Sequence, residues 1–276
     1  MNTMPTSSAL LFPGQGSHSE GMQAPFEDHP LLKRGIELLG FDPFSSLAEG
    51  TRTQQPALFL CSMAQWASRE DHETDPLAAA GHSLGEYAAL TAAGAIDFED
   101  AVRLVDARAR AMADAAERED GGMVAMLKGE RDDVLELAAE LGLSLANDNA
   151  PGQIVLSGRS DAIAEAVERA GDIGCRALQL DVGGAFHSPL MAPAADALKE
   201  ALDATAIREP AFPVLSNGSA RPFVDIRAEL AENLLKPVRW RETLLELQSM
   251  GATDFVECGP GSVLRGLVKR TLRATA

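Results

Sequence analysis

Pro76-Leu77-Ala78-Ala79-Ala80-Gly81-His82-Ser83-Leu84-Gly85-Glu86-Tyr87-Ala88-Ala89-Leu90-Thr91-Ala92-Ala93-Gly94 is the stretch that decides the fold. Leu77 to Ala80 reads as a short buried strand, and Tyr87 to Ala93 as a helix ended by Gly94. Between them, Gly81-His82-Ser83-Leu84-Gly85 fits the G-x-S-x-G pattern of a serine on a sharp strand-to-helix turn. Side chains at Gly81 and Gly85 would collide with the neighbouring strand and helix, and the turn itself is strained. The following helix aims free N–H groups and the positive end of its dipole at the serine, a setting that suits an oxyanion. The same residues also fit a plain strand-turn-helix with a serine N-cap.

Strand and helix patterns alternate on both sides of this stretch, which indicates an α/β architecture with a mainly parallel sheet. Ala9 to Phe12 reads as a first strand and Ala101 to Ala116 as a long helix. Gly121-Gly122 breaks the pattern. A β-α-β-α-β block of about sixty residues follows, read as a strand over Met123–Leu127, a helix over Asp132–Leu141, a strand over Gln153–Ser157, a helix over Asp161–Ala170 and a strand over Cys175–Leu180. It looks like a small lobe inserted into a larger domain. The expected division is a large domain over 1–121 and 186–276 and a small lobe over 122–185. Pro213–Ser216 and Asp254–Glu257 are short strand candidates, and Gly259-Pro260-Gly261 a turn before the last helix.

Composition narrows the class. The 276 residues are 46% hydrophobic, enough for a sizeable core. No apolar run reaches membrane-spanning length, and the N-terminus lacks the basic region of a signal peptide. Three distant cysteines, Cys61, Cys175 and Cys258, form no C-x-x-C pair, so neither a zinc site nor a disulfide framework is indicated and a cytoplasmic setting is expected. A formal net charge of −17 argues against nucleic acid and anionic membrane as partners. An acidic protein partner would need a local basic patch.

A serine needs a base. Of five histidines, His29 and His72 sit in polar, Pro- or Asp-flanked segments and read as surface residues. His82 adjoins Ser83, but neighbours on a tight turn point apart, so it reads as a packed, hydrogen-bonded support. His187, in Gly183-Gly184-Ala185-Phe186-His187-Ser188-Pro189, sits at a loop edge where it can face a cleft as the base. Arg103 and Arg110 share one helix face, whereas Arg108 lies toward the apolar side of Leu104 and Val105. A guanidinium drawn inward needs a partner, and spacing alone leaves two: a structural acid or a substrate carboxylate. Phe12-Pro13-Gly14-Gln15-Gly16-Ser17 can present backbone N–H groups to a cleft but matches no nucleotide-binding loop.

Taken in order, several segments resemble the malonyl-CoA:acyl carrier protein transacylase family, both the stand-alone enzymes of fatty-acid synthesis and the acyltransferases of polyketide synthases. They are FPGQGS (12–17), TQQPAL (53–58), GHSLGEYAAL (81–90), AVRLVDARA (101–109), NAPGQIVLSG (149–158), AFHSPLMAPA (185–194), PVRW (237–240) and ECGPGSVLRGL (257–267). The resemblance implies an α/β-hydrolase-like large domain, an inserted ferredoxin-like small lobe and a site in the cleft between them. It assigns Ser83 as the nucleophile that carries the acyl group and His187 as the base. Arg108 becomes the clamp for the malonyl carboxylate. The N–H groups of Gln15 and Leu84 become the oxyanion hole, and the carbonyl of Asn233 orients the histidine. The implied substrate is malonyl-CoA and the implied acceptor the phosphopantetheine thiol of an acyl carrier protein. No metal or cofactor is implied, and a monomer is expected. Ala185-Phe186-His187 is closer to malonyl-type polyketide acyltransferases, and Phe186 is expected to exclude a 2-methyl branch.

The chain departs from the family pattern at three places. The segment from Gly40 to Gln54 is shorter than usual, His18 stands where Gln is more familiar, and Asn233 where many bacterial members have Gln. Candidate docking cations for the carrier are Arg265, Lys269, Arg270 and Arg273 in the last helix, and Lys236, Arg239 and Arg241. Two other readings share Ser83 and His187: a serine hydrolase that clears acyl groups from carrier proteins, and an acyltransferase subunit of malonate decarboxylase.

Overall fold

A computed structural model describes residues 7–69 and 76–274; His72 lies outside the described residues. In chain order the elements are β1 (Ser8–Phe12), α1 (Pro30–Leu39), α2 (Thr51–Ala67), β2 (Ala78–Gly81), α3 (Gly85–Ala92), α4 (Phe98–Arg118), β3 (Gly121–Leu127), α5 (Arg131–Leu141) and β4 (Ser144–Ala150). They continue with β5 (Gln153–Arg159), α6 (Ser160–Arg169), β6 (Arg176–Gln179), α7 (Ala192–Asp203), β7 (Val214–Leu215), α8 (Ile226–Glu232), α9 (Trp240–Ser249), β8 (Asp254–Glu257) and α10 (Val263–Arg273).

Two sheets organise the chain. The first is parallel, in the order β7-β2-β1-β8, with Phe12 of β1 level with Gly81 of β2. Both faces are covered, as a parallel sheet requires. Leu10 and Phe12 turn one way, into the cluster with Leu58, Leu60, Leu90 and Leu104 from α2, α3 and α4. Ala9 and Leu11 turn the other way, onto Trp240, Leu244, Leu264 and Leu267 from α9 and α10. This alternation along one strand explains its unbroken apolar run.

The second sheet is antiparallel, in the order β4-β5-β3-β6, with α5 and α6 closing a separate core around Val124, Leu137, Leu156 and Ile163. Here the structure corrects the expected β-α-β-α-β block: the order is β-α-β-β-α-β, and the additional strand is β4. Its sequence, Ser-Leu-Ala-Asn-Asp-Asn-Ala, lacks an apolar alternation because its polar side chains are buried against partners from elsewhere. Asp148 is paired with Arg131 at 3.0 Å and Arg241 at 3.3 Å, and Asn149 bonds to His82 at 2.8 Å. Through the Asp148 N–H to Val238 carbonyl and the Val238 N–H to Ala146 carbonyl, β4 also joins the segment before α9. The strand thus fastens one sheet to the other.

Candidate active site

The turn after β2 is shaped by steric exclusion. A Cβ on Gly81 would fall on the backbone of Gly85 and Glu86, and a Cβ on Gly85 on the Phe12 carbonyl. Between them Ser83 takes φ +51°, a left-handed conformation that is costly for a residue with a side chain. Its N–H donates to Asn217 Oδ1 at 2.7 Å, which fixes the turn from outside.

His187 reaches the serine from the other side of the cleft, also with a left-handed backbone (φ +56°). Nε2 lies 2.8 Å from Ser83 Oγ. Nδ1 lies 2.9 Å from the Asn233 carbonyl and 3.1 Å from the Lys236 carbonyl. Carbonyls only accept, so Nδ1 carries the proton and Nε2 presents its lone pair to the serine hydroxyl. Burial, followed by the nearby positive charge of Arg108, pushes the imidazole down to about 4, so the ring is neutral and proton-accepting near pH 7.

Arg108, on α4, is fully buried, in keeping with its place on the apolar side of the helix. Nη2 donates to Ser83 Oγ at 3.0 Å, Nη1 donates to Gln55 Oε1, and the guanidinium stands 5.8 Å from the Tyr87 ring centre. Among the described residues no carboxylate lies within 4.0 Å of it, so the structural acid that spacing allowed is not an ion-pair partner. Burial lowers its pKa. A buried cation with no carboxylate at ion-pair distance, beside a serine hydroxyl, can seat an anion. Gln55, which the sequence reading did not single out, is oriented by its own donor bond. Its Nε2 donates to Thr51 Oγ1 at 2.6 Å, which leaves Oε1 for Arg108.

The Phe12–Ser17 loop packs so closely on the elbow that a Cβ on Gly14 would overlap the His82 carbonyl. Its Gln15 side chain is tied to Gln54 and Thr51 at 3.1 and 3.0 Å. Neither the Gln15 nor the Leu84 backbone N–H is taken by another group among the described residues. Gln15, Ser83, Phe186 and His187 line one cavity of about 210 Å³ with Met112, Met123 and Leu180. A wider opening of about 520 Å³, edged by Glu20, Glu49 and Asp181, adjoins it at Phe186.

Other residues settle into support. His82 bonds to Asn149 and meets the Trp240 ring edge-on at 5.3 Å, and its burial lowers its pKa. His29 caps α1 by accepting from the Leu31 N–H. Glu86, in the first turn of α3, is buried, and desolvation pushes its carboxyl up to about 8. It accepts from the Asn217 N–H at 2.7 Å and from Asn233 Nδ2 at 2.9 Å. Asn233 therefore contributes its side chain as well as its carbonyl. Nothing in the local spacing of Glu86, Asn217 or Gln55 marks them, since the bonds from Gln55 to Arg108 and from Glu86 to Asn217 and Asn233 span 53 to 147 positions. No group of three or more His, Cys, Asp or Glu among the described residues could hold a metal ion.

Comparison with known proteins places the chain in a family. The acyl transferase domain family matches residues 10–276. The chain is 42% identical to the malonyl CoA-acyl carrier protein transacylase of Bacillus subtilis over 286 residues, covering 96% of this chain and 90% of that protein. Among solved structures, the malonyl CoA-acyl carrier protein transacylase of Coxiella burnetii superposes with a TM-score of 0.92 at 35% identity, covering 98% of this chain and 92% of that one. A type II PKS acyl-carrier protein in complex with its malonyl-transacylase, PlMCAT:AntF, matches with a TM-score of 0.91 at 34% identity, covering 97% of this chain and 94% of that one.

Proposed function

The chain belongs to the acyl transferase domain family, and from that membership we propose that it moves a malonyl group from malonyl-CoA to the phosphopantetheine thiol of an acyl carrier protein, in fatty-acid or polyketide synthesis. The observation that carries the reading is Arg108, buried without an ion pair and 3.0 Å from the Ser83 hydroxyl. An acyl group ending in a carboxylate supplies the missing partner; an acetyl group does not.

The reaction runs in two steps. Ser83 Oγ attacks the thioester carbonyl while His187 Nε2 takes its proton, the C–S bond breaks, and the imidazolium returns the proton to the CoA sulfur. The carrier thiol then gives its proton to His187, attacks the seryl ester, and Ser83 leaves with the proton. The Asn233 and Lys236 carbonyls stabilise the transient imidazolium in place of a carboxylate. The unused N–H groups of Gln15 and Leu84 serve the oxyanion, where one donor contributes about 3–4 kcal/mol. Bound malonyl also offsets the Arg108 charge that disfavours protonated His187. Phe186 bounds the acyl cavity and disfavours a 2-methyl branch.

The small lobe is read as ferredoxin-like, in keeping with its β-α-β-β-α-β order, and the large domain as hydrolase-like, divided at 1–121, 122–185 and 186–276. For docking, α10 is the better candidate. Lys236, Arg239, Arg241 and Arg265 each face a carboxylate, of Glu232, Glu242, Asp148 and Glu257 respectively. Lys269, Arg270 and Arg273 are exposed, and among the described residues none has a carboxylate partner. The turn that leads into α10 packs beside Ser17, next to the cavity-lining His18.

Intact-mass analysis with malonyl-CoA, acetyl-CoA and a holo carrier protein tests the proposal. A malonyl adduct on Ser83 that moves to the carrier is expected. Free malonate with no loaded carrier would overturn it in favour of hydrolysis.

A further inference from the structure

Ser83 and His187 are 104 positions apart in sequence, yet their reacting atoms must stay 2.8 Å apart. Each is held in a left-handed conformation by groups that are themselves held. On the serine side the holder is Asn217, whose Oδ1 accepts from the Ser83 N–H and whose Nδ2 donates to the Gly81 carbonyl at 2.6 Å. On the histidine side it is Asn233, whose carbonyl accepts from Nδ1. These two asparagines meet at one atom: Glu86 Oε1 accepts from the Asn217 N–H and from Asn233 Nδ2. Ser216 Oγ, 3.0 Å from Asn233 Nδ2, takes that amide's remaining proton, so the Asn233 side chain cannot rotate without losing both bonds. Ser216 precedes Asn217 in the chain and bonds the same amide, and Glu86 Oε1 is the acceptor that the Asn217 N–H and the Asn233 side chain share.

We infer that Glu86 is a positioning residue, setting the Ser83–His187 geometry through Asn217 and Asn233, and that its acceptor oxygen rather than its charge does so. A glutamine at this position keeps an Oε1 acceptor on a side chain of the same length, whereas alanine removes it. The inference rests on the proposed roles of Ser83 and His187.

The test is the rate at which malonyl-CoA acylates Ser83, followed by rapid-quench intact mass across substrate concentration, with folding checked by circular dichroism. Glu86→Ala is expected to slow acylation at saturating malonyl-CoA at least tenfold while the half-saturating concentration moves less than twofold. Glu86→Gln is expected to stay within threefold of the unaltered protein. Full-rate acylation by Glu86→Ala, or a folded Glu86→Gln as slow as Glu86→Ala, would overturn the inference. If Glu86→Ala does not fold, Asn233→Leu is read instead, since it removes the Nδ2 bond to Glu86 Oε1 and keeps the backbone carbonyl that faces His187: a loss of at least fivefold supports the link, and a smaller loss breaks it. Absence of any adduct on the unaltered protein would sink the acyl-transfer reading itself, a result distinct from the others.

Discussion

The serine half and the histidine half of the site reach the same backbone conformation by different means. Ser83, at φ +51°, sits in a turn shaped by exclusion, with Gly81 against the Gly85 backbone and Gly85 against the Phe12 carbonyl, and pinned from outside by the Asn217 side chain. His187, at φ +56°, is held by hydrogen bonds: its own Nδ1 to two carbonyls, and the next residue's Ser188 Oγ to the Ala185 carbonyl at 2.7 Å. Exclusion fixes the elbow to within the width of an atom and tolerates no added side chain. Carbonyl acceptors come from the backbone and survive many side-chain changes. The turn that carries the proposed nucleophile is thus written in glycines, while the position of the proposed base depends on where distant loops carry their carbonyls.

The most disruptive challenge to this contrast is Gly85→Ala. Its Cβ must displace the Phe12 carbonyl, so a loss of about 3 kcal/mol or more in urea unfolding is expected, together with the acyl adduct. A full-strength Gly85→Ala would show that exclusion does not hold the elbow. Next comes Arg108→Ala, which touches both halves. Malonyl transfer should fall roughly 10- to 150-fold more than acetyl transfer, the equivalent of about 1.5–3 kcal/mol for a charged hydrogen bond. Its sign on pH follows from the charge. In its proposed role as base His187 works neutral, so activity should be lost as pH drops through its pKa of about 4; removing the Arg108 charge raises that pKa. The acid limb of acetyl transfer should therefore move to higher pH. Equal losses for both acyl groups, or an unmoved limb, would discard the assigned role. The smallest effect comes from a change that spares both halves. Reversing Lys269 and Arg273 to Glu should raise the carrier KM roughly fivefold, at about 0.2–1 kcal/mol per exposed pair, and leave Ser83 acylation unchanged. Unchanged carrier kinetics would remove α10 from the docking surface.

The parallel sheet and the elbow were legible because their signals are local. The Ala78–Gly81 strand, the paired glycines and the Ala-rich α3 each announce themselves within a few residues. The inward turn of Arg108 was legible too, from its helical phase, but its neutral surroundings were not. β4 was missed because its apolar alternation is replaced by Asn147, Asp148 and Asn149, whose burial makes sense only once Arg131, Arg241 and His82 are seen around them. His82 fell where its flanking residues indicated, as a packed support, whereas His29, read as a surface residue, is half-buried and caps α1.

Periodicity and sterics within single elements were therefore enough to indicate the class of fold, the serine turn and the inward arginine, whereas His187 was assigned as the base by the family resemblance. Three features emerged only from the folded chain: which groups enclose Arg108, that the Lys236 carbonyl joins that of Asn233 on the protonated nitrogen of His187, and that one oxygen of Glu86 joins the supports of both halves. Those last bonds link residues 46 to 147 positions apart, and hydrogen-bond geometry at such separations is a property of packed elements, not of spacing along the chain.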